Sequence, residues 1–165
     1  MRIDLVQGDI TTFREVDAVV TAANRRLLGG TGVNGAVHAA AGPRLLAASS
    51  ALAPCEPGSA VVTPAFDLAP VRWVIHAVGP RYRGPDDAPV LRSAYLAALA
   101  RADECGARTV SFPSISTGRY SYPAKEAAAL SVHALRTART EVEGVLLVAF
   151  SDDLAELWAC ALATG

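Results

Sequence analysis

Short runs of β-branched and apolar residues alternate along this chain with longer stretches rich in alanine and leucine. The short runs predict six strands, at Ile3–Val6, Asp17–Thr21, Val61–Pro64, Arg72–Val78, Thr109–Phe112 and Val145–Phe150. The longer stretches predict helices at Gly35–Ser50 (broken or restarted at Gly42-Pro43), Pro89–Cys105, Pro123–Thr140 and Asp152–Ala163, the last with Asp152 as N-cap. Strands that alternate with helices in this way build an α/β fold around a largely parallel sheet.

Length and composition are those of one globular domain. With 165 residues, 52% of them apolar and 19% charged, the chain is long enough to bury a core and too apolar to be disordered. No linker or repeat interrupts it, so residues 1–165 are predicted to form a single domain. The formal net charge is −1, whereas a protein that coats nucleic acid needs a basic surplus. General nucleic-acid binding is therefore not expected.

The cysteines and the N-terminus indicate where such a protein works. Cys55, Cys105 and Cys160 form no CxxC pair and have no HxxxH companion, which favours buried or half-buried free thiols over a disulfide or a metal site. No metal or cofactor is predicted. No leader-like apolar core follows Met1, and no apolar run reaches the roughly 18 residues of a membrane span. We expect a cytoplasmic monomer with no membrane partner.

Two segments between a predicted strand and a helix have the composition of ligand-binding loops. The glycine loop, Gly29–Gly35, holds four glycines in seven residues, and the hydroxyl loop, Ser114–Tyr122, offers several hydroxyl groups beside Gly118. Ligands of open α/β sheets bind outside the carboxyl ends of strands, where both loops are expected. Glycines let amide N–H groups converge on phosphate oxygens. The pair predicts a diphosphate held from both sides; the alternative is that each loop is only a tight turn.

Other enzyme classes fit less well. Residues Gly30–Gly35 match GxGxxG, yet residues 22–28 separate them from the strand, and Glu56 lies between prolines instead of at a strand end, so a dinucleotide oxidoreductase is disfavoured. No P-loop or GxSxG elbow occurs. The histidines are isolated, and His76, inside a strand-like run, is predicted to be a satisfied core or sheet histidine.

Six stretches together resemble the macro domain family, closest to its MacroD-type branch. They are VQGDIT from Val6, DAVVTAAN from Asp17, LLGGTGVNGAVH from Leu27, AGP from Ala41, VIHAVGP from Val74 and FPSISTGRY from Phe112. The resemblance covers essentially the whole chain in order. It implies a three-layer α/β/α sandwich with a mixed, largely parallel six-stranded sheet. It also implies binding of ADP-ribose, often with hydrolysis of mono-ADP-ribosylated proteins or of O-acetyl-ADP-ribose.

The resemblance also implies roles for single residues. Asp9 corresponds to the carboxylate that accepts from the adenine amino group, with the Ile10 amide beside it, although an Asp that only shapes the turn is the alternative. Asn24 and Tyr120 correspond to residues at the distal ribose, and Phe150 is expected either to flank the adenine or to be a core residue. The remaining implied ligand-binding residues lie in the two loops: Gly29, Gly30, Thr31, Gly32, Val33, Ser114, Ile115, Ser116, Thr117, Gly118 and Arg119.

Three positions depart from the family pattern. Thr21 stands where the family has Asn, Thr31 is third in a run of four glycines, and Asn34 replaces the Asp of hydrolytic members. A carboxylate can take a proton from water, whereas an amide cannot. Two hypotheses follow for a chain that recognises ADP-ribosylated macromolecules. Either it is a hydrolase in which Asn24 and Asn34 position the ribose and water, or it is a non-catalytic reader of ADP-ribose.

Overall fold

A computed structural model describes residues Met1–Gly165 as six strands and five helices. The strands are β1 (Arg2–Gln7), β2 (Ala18–Ala23), β3 (Ala60–Pro64), β4 (Trp73–Val78), β5 (Thr109–Phe112) and β6 (Gly144–Ala149). The helices are α1 (Gly32–Ala41), α2 (Pro43–Ser50), α3 (Ala88–Cys105), α4 (Ala124–Thr137) and α5 (Asp152–Ala163). None of the five helices is long and apolar enough to cross a membrane.

All six strands form one sheet, in the order β1-β6-β5-β2-β4-β3. Every neighbouring pair is parallel except β3, which runs antiparallel to β4 at one edge. The predicted mixed, largely parallel six-stranded sheet is therefore confirmed. The carboxyl ends of the five parallel strands lie at one edge, where their connecting segments meet.

Helices cover both faces of the sheet, because successive strand residues point to opposite sides. In β2, Ala18 and Val20 belong to a core of 27 buried residues that includes Tyr95 of α3 and Trp158 of α5. Val19 belongs instead to a cluster of 10 buried residues under α1 and α2. The three layers implied by the family resemblance are thus present.

Several predicted boundaries were wrong by a few residues. Helix α1 begins at Gly32 instead of Gly35, so half of the glycine loop is the first turn of a helix. The N-cap of α5 is Ser151, whose Oγ accepts from the Leu154 N–H at 3.2 Å, and not Asp152. Helix α4 stops at Thr137, short of the predicted Thr140, whose hydroxyl donates instead to Asp103 of α3 at 2.7 Å.

The cysteines follow the prediction in two cases out of three. Cys55 is buried and Cys105 half-buried, and all three thiols are free. Cys160 is exposed, against the prediction, because it lies on the outer side of the last helix.

Candidate functional site

A cleft of about 980 Å³ opens at the edge of the sheet where the parallel strands end. Every site residue proposed from the sequence lines it, from both loops and from Asp9, Ile10, Asn24, Asn34 and Phe150. Seven lining residues were not foreseen: Gly8, Ala22, Ala23, Ala36, Gly79, Arg81 and Val148. Gly79 and Arg81 could have been found, because Val-Gly-Pro follows a strand-like run at the same edge.

The strand order sets the shape of this cleft. Asp9 follows β1 and Phe150 follows β6, the hydroxyl loop follows β5, the glycine loop follows β2, and Arg81 follows β4. Neighbouring strands lie about 4.8 Å apart, so the four steps from β1 to β4 span about 19 Å. The cleft therefore suits an elongated ligand that crosses both loops.

Asp9 stands at one end and has two separate oxygens to offer. Its Oδ1 accepts from the Thr11 N–H at 2.9 Å and from the Thr11 hydroxyl at 2.7 Å, which caps the short turn after β1. No protein group donates to Oδ2. The turn-shaping role is thus real and leaves an acceptor for a ligand. Phe150 beside it is 65% exposed, which rules out the alternative that it is a core residue.

Two asparagines, one before the glycine loop and one within it, bind the backbone of Leu28. The Asn24 side chain accepts from the Leu28 N–H at 3.0 Å and donates to the Leu28 carbonyl at 2.9 Å. Asn34 Nδ2 donates to the same carbonyl at 3.0 Å. Leu27, just before it, has a φ of 56°, a left-handed conformation that needs such support. Asn24 and Asn34 therefore hold the loop in place as well as lining the cleft.

The amide of Asn34 has a defined orientation. The Thr21 hydroxyl lies 3.1 Å from Asn34 Oδ1, and both side chains are buried. The Leu28 carbonyl can only accept, so the Asn34 atom beside it must be the NH₂ group and the atom beside Thr21 the oxygen. Two of the three departures from the family pattern are thus bonded to each other. The acceptor of Asn34 is engaged inside the protein.

Two glycines are required where the loops approach other backbone or side chains. A Cβ on Gly35 would lie 2.3 Å from the Gly30 carbonyl oxygen. A Cβ on Gly79 would lie 2.1 Å from Ser116 Oγ. At Gly118, by contrast, a Cβ would meet nothing within 4 Å, since this residue faces open space at the cleft.

The hydroxyl loop leaves polar groups without partners in the protein. The hydroxyl oxygens of Ser114 and Ser116 are buried and unpaired. Ser116 has a φ of 68°, and the loop is fixed instead through backbone, since the Ile115 N–H donates to the buried Tyr95 hydroxyl at 3.1 Å. Burial raises the pKa of Tyr95 to about 12, so this hydroxyl stays protonated.

Backbone amides in both loops are also unpaired. The N–H groups of residues 29–34 and of residues 116–120 donate to no acceptor in the protein. Those of residues 32–34 are the free N–H groups at the N-terminus of α1, where the helix dipole favours a negative charge. Six amides on one side and five on the other thus belong to residues that line the same cleft.

The buried His76 and the half-buried His38 lie behind the glycine loop. His76 Nε2 is 3.0 Å from the Thr63 hydroxyl, but its Nδ1 has no partner, so the predicted satisfied histidine is satisfied on one side only. The His38 ring centroid is 6.2 Å from that of His76, and its Nε2 is likewise unpaired. Burial, with the neighbouring His38, lowers the pKa of His76 to about 3, and burial also lowers the pKa of His38.

The end of the cleft opposite Asp9 is basic and aromatic. The Arg81 guanidinium carbon lies 4.7 Å from the centre of the Tyr120 ring, which is a cation–π contact. The Tyr82 N–H donates to the Tyr120 carbonyl at 2.8 Å and joins the two segments. Arg119 lines the same cleft.

A cleft lined by two loops whose amides are unpaired is suited to a phosphate-bearing ligand. The sequence pattern of the macro domain matches residues 20–131. An O-acetyl-ADP-ribose deacetylase of Klebsiella pneumoniae is 45% identical over 98% of this chain and 96% of its own. The chain belongs to the macro domain family.

Solved structures agree with this membership. The macrodomain of Oceanobacillus iheyensis with ADP is 36% identical, covers 97% of this chain and 89% of its own, and superposes with a TM-score of 0.91. The macrodomain of Trypanosoma brucei in complex with ADP-ribose is 33% identical, covers 99% of this chain and 69% of its own, and has a TM-score of 0.88.

Proposed function

We propose that this chain binds ADP-ribose in the cleft and releases it by hydrolysis from mono-ADP-ribosylated targets, or deacetylates O-acetyl-ADP-ribose. The observation that carries the proposal is the two rows of unpaired N–H groups, residues 29–34 and 116–120, along one cleft. A diphosphate offers only acceptors, so it complements two rows of donors. The names and ligands of the relatives support the same ligand class.

The strand order supports one direction for the ligand. Asp9 Oδ2 is the free acceptor for the adenine amino group, and the exposed Phe150 ring offers a surface beside it. The diphosphate then lies between the glycine loop and the hydroxyl loop, with the distal ribose near Asn24 and Tyr120. The buried, unpaired hydroxyls of the hydroxyl loop gain acceptors from such a ligand.

Hydrolysis adds water across the bond at the distal ribose. For an ester at C1″, the bond to the acceptor carboxylate breaks, and the products are ADP-ribose and the free carboxylic acid. Asn34 does not take the proton from water, because it is an amide whose oxygen already accepts from Thr21. In this proposal a phosphate oxygen of the substrate is the base, Asn24 and Asn34 position ribose and water, and loop amides stabilise developing charge.

A second candidate function is recognition of ADP-ribose without hydrolysis. The bond between Thr21 and Asn34 favours it, because the position that is Asp in the family's hydrolytic members is here an amide, which is not a base, and its oxygen already accepts from Thr21. Both functions predict binding, and only the first predicts turnover.

Calorimetry with free ADP-ribose, run beside a release assay on carboxyl-ester, arginine, nucleic-acid-base and O-acetyl linkages, tests both candidates. We expect a dissociation constant on the order of micromolar, about −8 kcal/mol. Asp9→Ala is expected to weaken binding roughly 10–100-fold, through loss of a charged acceptor worth about 1.5–3 kcal/mol. Asp9→Asn keeps an oxygen that can accept from the Thr11 N–H but loses the negative charge, so it separates the turn-shaping role from the ligand-binding role. Absence of heat and of a thermal shift at millimolar ligand would refute the proposal.

Location and assembly belong to the same proposal. We infer a monomer that acts in the cytoplasm on ADP-ribosylated macromolecules, and neither membranes nor nucleic acid in general are among its partners. Sedimentation of the purified protein and fractionation of cells test these two points.

A further inference from the structure

We propose that Arg81 and Arg119 select acceptors that carry negative charge beside the ADP-ribosyl linkage, namely acidic protein segments. The inference rests on the proposed function, because it concerns what is attached to the distal ribose. It adds a specificity surface at the end of the cleft.

Position is the first observation. Asp9 follows β1 and Arg81 follows β4, so the strand order puts them at opposite ends of the cleft with both loops between. The Arg81 guanidinium is held over the Tyr120 ring at 4.7 Å, which limits the freedom it would lose on binding. Arg81 therefore lies where the group attached to the distal ribose leaves the cleft.

Charge is the second observation. Asp9 is the only acidic residue that lines the cleft, and Arg81 and Arg119 are the only basic ones. Six of the fourteen arginines are paired with carboxylates, and Arg81 and Arg119 are among the eight that are not. A guanidinium presents five N–H donors in a fork that fits a carboxylate through two hydrogen bonds. The Arg81 guanidinium is thus a site for one carboxylate, and Arg119, which precedes Tyr120 in the chain and lines the same cleft, offers a second guanidinium.

The diphosphate is not the natural partner of Arg81. The unpaired amides of both loops already provide donors in the middle of the cleft, after β5 and β2. Arg81 follows β4, one strand further along the sheet than the glycine loop. In the direction proposed above, Tyr120 lies at the distal ribose, so Arg81, held over the Tyr120 ring, lies next to that ribose and to what it carries.

An acidic protein segment fits this surface better than a nucleic-acid strand. Asp87 Oδ2 accepts from the Arg83 N–H at 2.6 Å, so one carboxylate is fixed two residues along the chain from Arg81. Burial and then Tyr82, Asp87 and Glu126 raise the pKa of the Tyr122 hydroxyl. The Tyr82 ring, next to Arg81 in the chain, is 4.9 Å from the Tyr122 ring. A strand with a phosphate at every nucleotide would meet Asp87 and Glu126, whereas a peptide with one or two carboxylates need not.

Binding of two peptides tests the inference without relying on turnover. Each carries ADP-ribose at the same position through a non-hydrolysable linkage, and flanking glutamates in one are glutamines in the other. We expect the acidic peptide to bind about four- to twenty-fivefold more tightly, since two exposed ion pairs each contribute a factor of about 2–5. The ratio of the two dissociation constants is expected to fall towards one in Arg81→Gln/Arg119→Gln and in about 0.5 M salt. Arg92→Gln, an exposed unpaired arginine of α3 outside the cleft, is expected to keep it.

Each other outcome overturns a specific step. Equal affinity for the two peptides, with normal binding of free ADP-ribose, overturns the selection by charge and leaves the proposed function intact. Loss of free ADP-ribose affinity in the double variant with an unchanged ratio means that the arginines hold the diphosphate. Tighter binding of a 5′-ADP-ribosylated oligonucleotide than of the acidic peptide assigns this end to nucleic acid. No binding of free ADP-ribose overturns the proposed function together with this inference.

Discussion

The glycine loop and the hydroxyl loop occupy equivalent places in the fold but use their side chains differently. Each connects the carboxyl end of a strand to the start of a helix, and each leaves a row of backbone N–H groups unpaired. In the glycine loop, the side chain of Asn34, like that of Asn24 before the loop, is hydrogen-bonded to the backbone of Leu28. In the hydroxyl loop, the buried hydroxyls of Ser114 and Ser116 have no partner.

The difference indicates that polar side chains on one side of the cleft stabilise the loop and those on the other side are available to the ligand. A loop with four glycines has little stiffness of its own, so its side-chain hydrogen bonds are needed to keep its amides in line. The hydroxyl loop is held by backbone bonds to the core, above all from Ile115 to Tyr95, which leaves its hydroxyls for a ligand. Substitutions on the glycine-loop side should therefore change stability, and those in the hydroxyl loop should change affinity.

The largest expected effect is at Gly118. Gly118→Glu adds a side chain and a negative charge where the diphosphate is expected, and nothing in the protein opposes it, since a Cβ there meets no atom within 4 Å. We expect ADP-ribose binding to fall by more than about 100-fold through like-charge repulsion, with an unchanged melting temperature. Gly84→Glu is the matched control, because a Cβ on Gly84 also meets nothing and this residue does not line the cleft. Equal loss in both variants, or none in either, would remove the hydroxyl loop from the phosphate site.

The second expected effect is a loss of folding stability at low pH, caused by His76 in the core behind the glycine loop. The folded-state pKa of His76 is about 3, below its ordinary 6.5, because of burial and the nearby His38. Between these values the unfolded chain binds a proton that the folded chain does not, so stability is full above pH 6.5 and falls as the pH is lowered. The slope is up to about 1.4 kcal/mol per pH unit for one group.

Urea unfolding between about pH 5 and 7.5 measures this effect above the range of most carboxylates. His76→Gln replaces the ring by an amide that can still reach Thr63, and its stability is expected to vary less with pH than that of the parent. Parallel curves for the two proteins would mean that His76 does not carry the dependence. No histidine lies in the hydroxyl loop, so we expect that loop to add nothing to the pH dependence of stability in this range.

Residues of the two loops show what could and could not be predicted from sequence. The strand and helix pattern, and the presence of both loops at one edge, followed from periodicity and glycine placement. The family motifs contain every proposed lining residue except Phe150. The start of α1 at Gly32 could not be predicted, since glycine and threonine are poor helix signals whose conformation is decided by contacts with β2 and Leu28. The bond between Thr21 and Asn34 joins residues 13 apart and depends on side-chain orientation, which no linear pattern contains. The Arg81–Tyr120 contact was missed for the same reason.

The third effect is at Asn34. Asn34→Asp keeps an acceptor for Thr21 but places its other oxygen against the Leu28 carbonyl and removes the donor to it. We expect a loss of stability of about 1–3 kcal/mol, the cost of a buried unpaired polar group. Turnover on glutamate-linked substrate is expected to rise, by less than the roughly 10²–10⁴ of a well-placed base, because the loop that holds it is loosened. Denaturant midpoints and single-linkage release assays measure the two quantities.

Two variants at Thr21 isolate the contact itself. Thr21→Ser retains the donor to Asn34 Oδ1 and is expected to bind ADP-ribose like the parent, whereas Thr21→Val removes the donor and is expected to lose stability. If Asn34→Asp unfolds at the parent's denaturant concentration, the glycine loop does not depend on these bonds and the contrast with the hydroxyl loop fails.

The smallest expected effect is at Ser116, where the contrast between the hydroxyl loop and the glycine loop is clearest. Its hydroxyl is buried without a partner, so Ser116→Ala removes a desolvated polar group at no loss of a protein hydrogen bond, and stability is expected to stay level or rise slightly. Affinity for ADP-ribose is expected to fall about three- to tenfold, the worth of one ordinary hydrogen bond to the ligand. Ser111→Ala is the matched control, because Ser111 Oγ in β5 is equally buried and unpaired but does not line the cleft. In thermal unfolding the two variants should therefore have similar stability, and in calorimetry only Ser116→Ala should bind ADP-ribose more weakly. An equal fall in affinity in both variants would mean that the loss is not due to a bond between the Ser116 hydroxyl and the ligand.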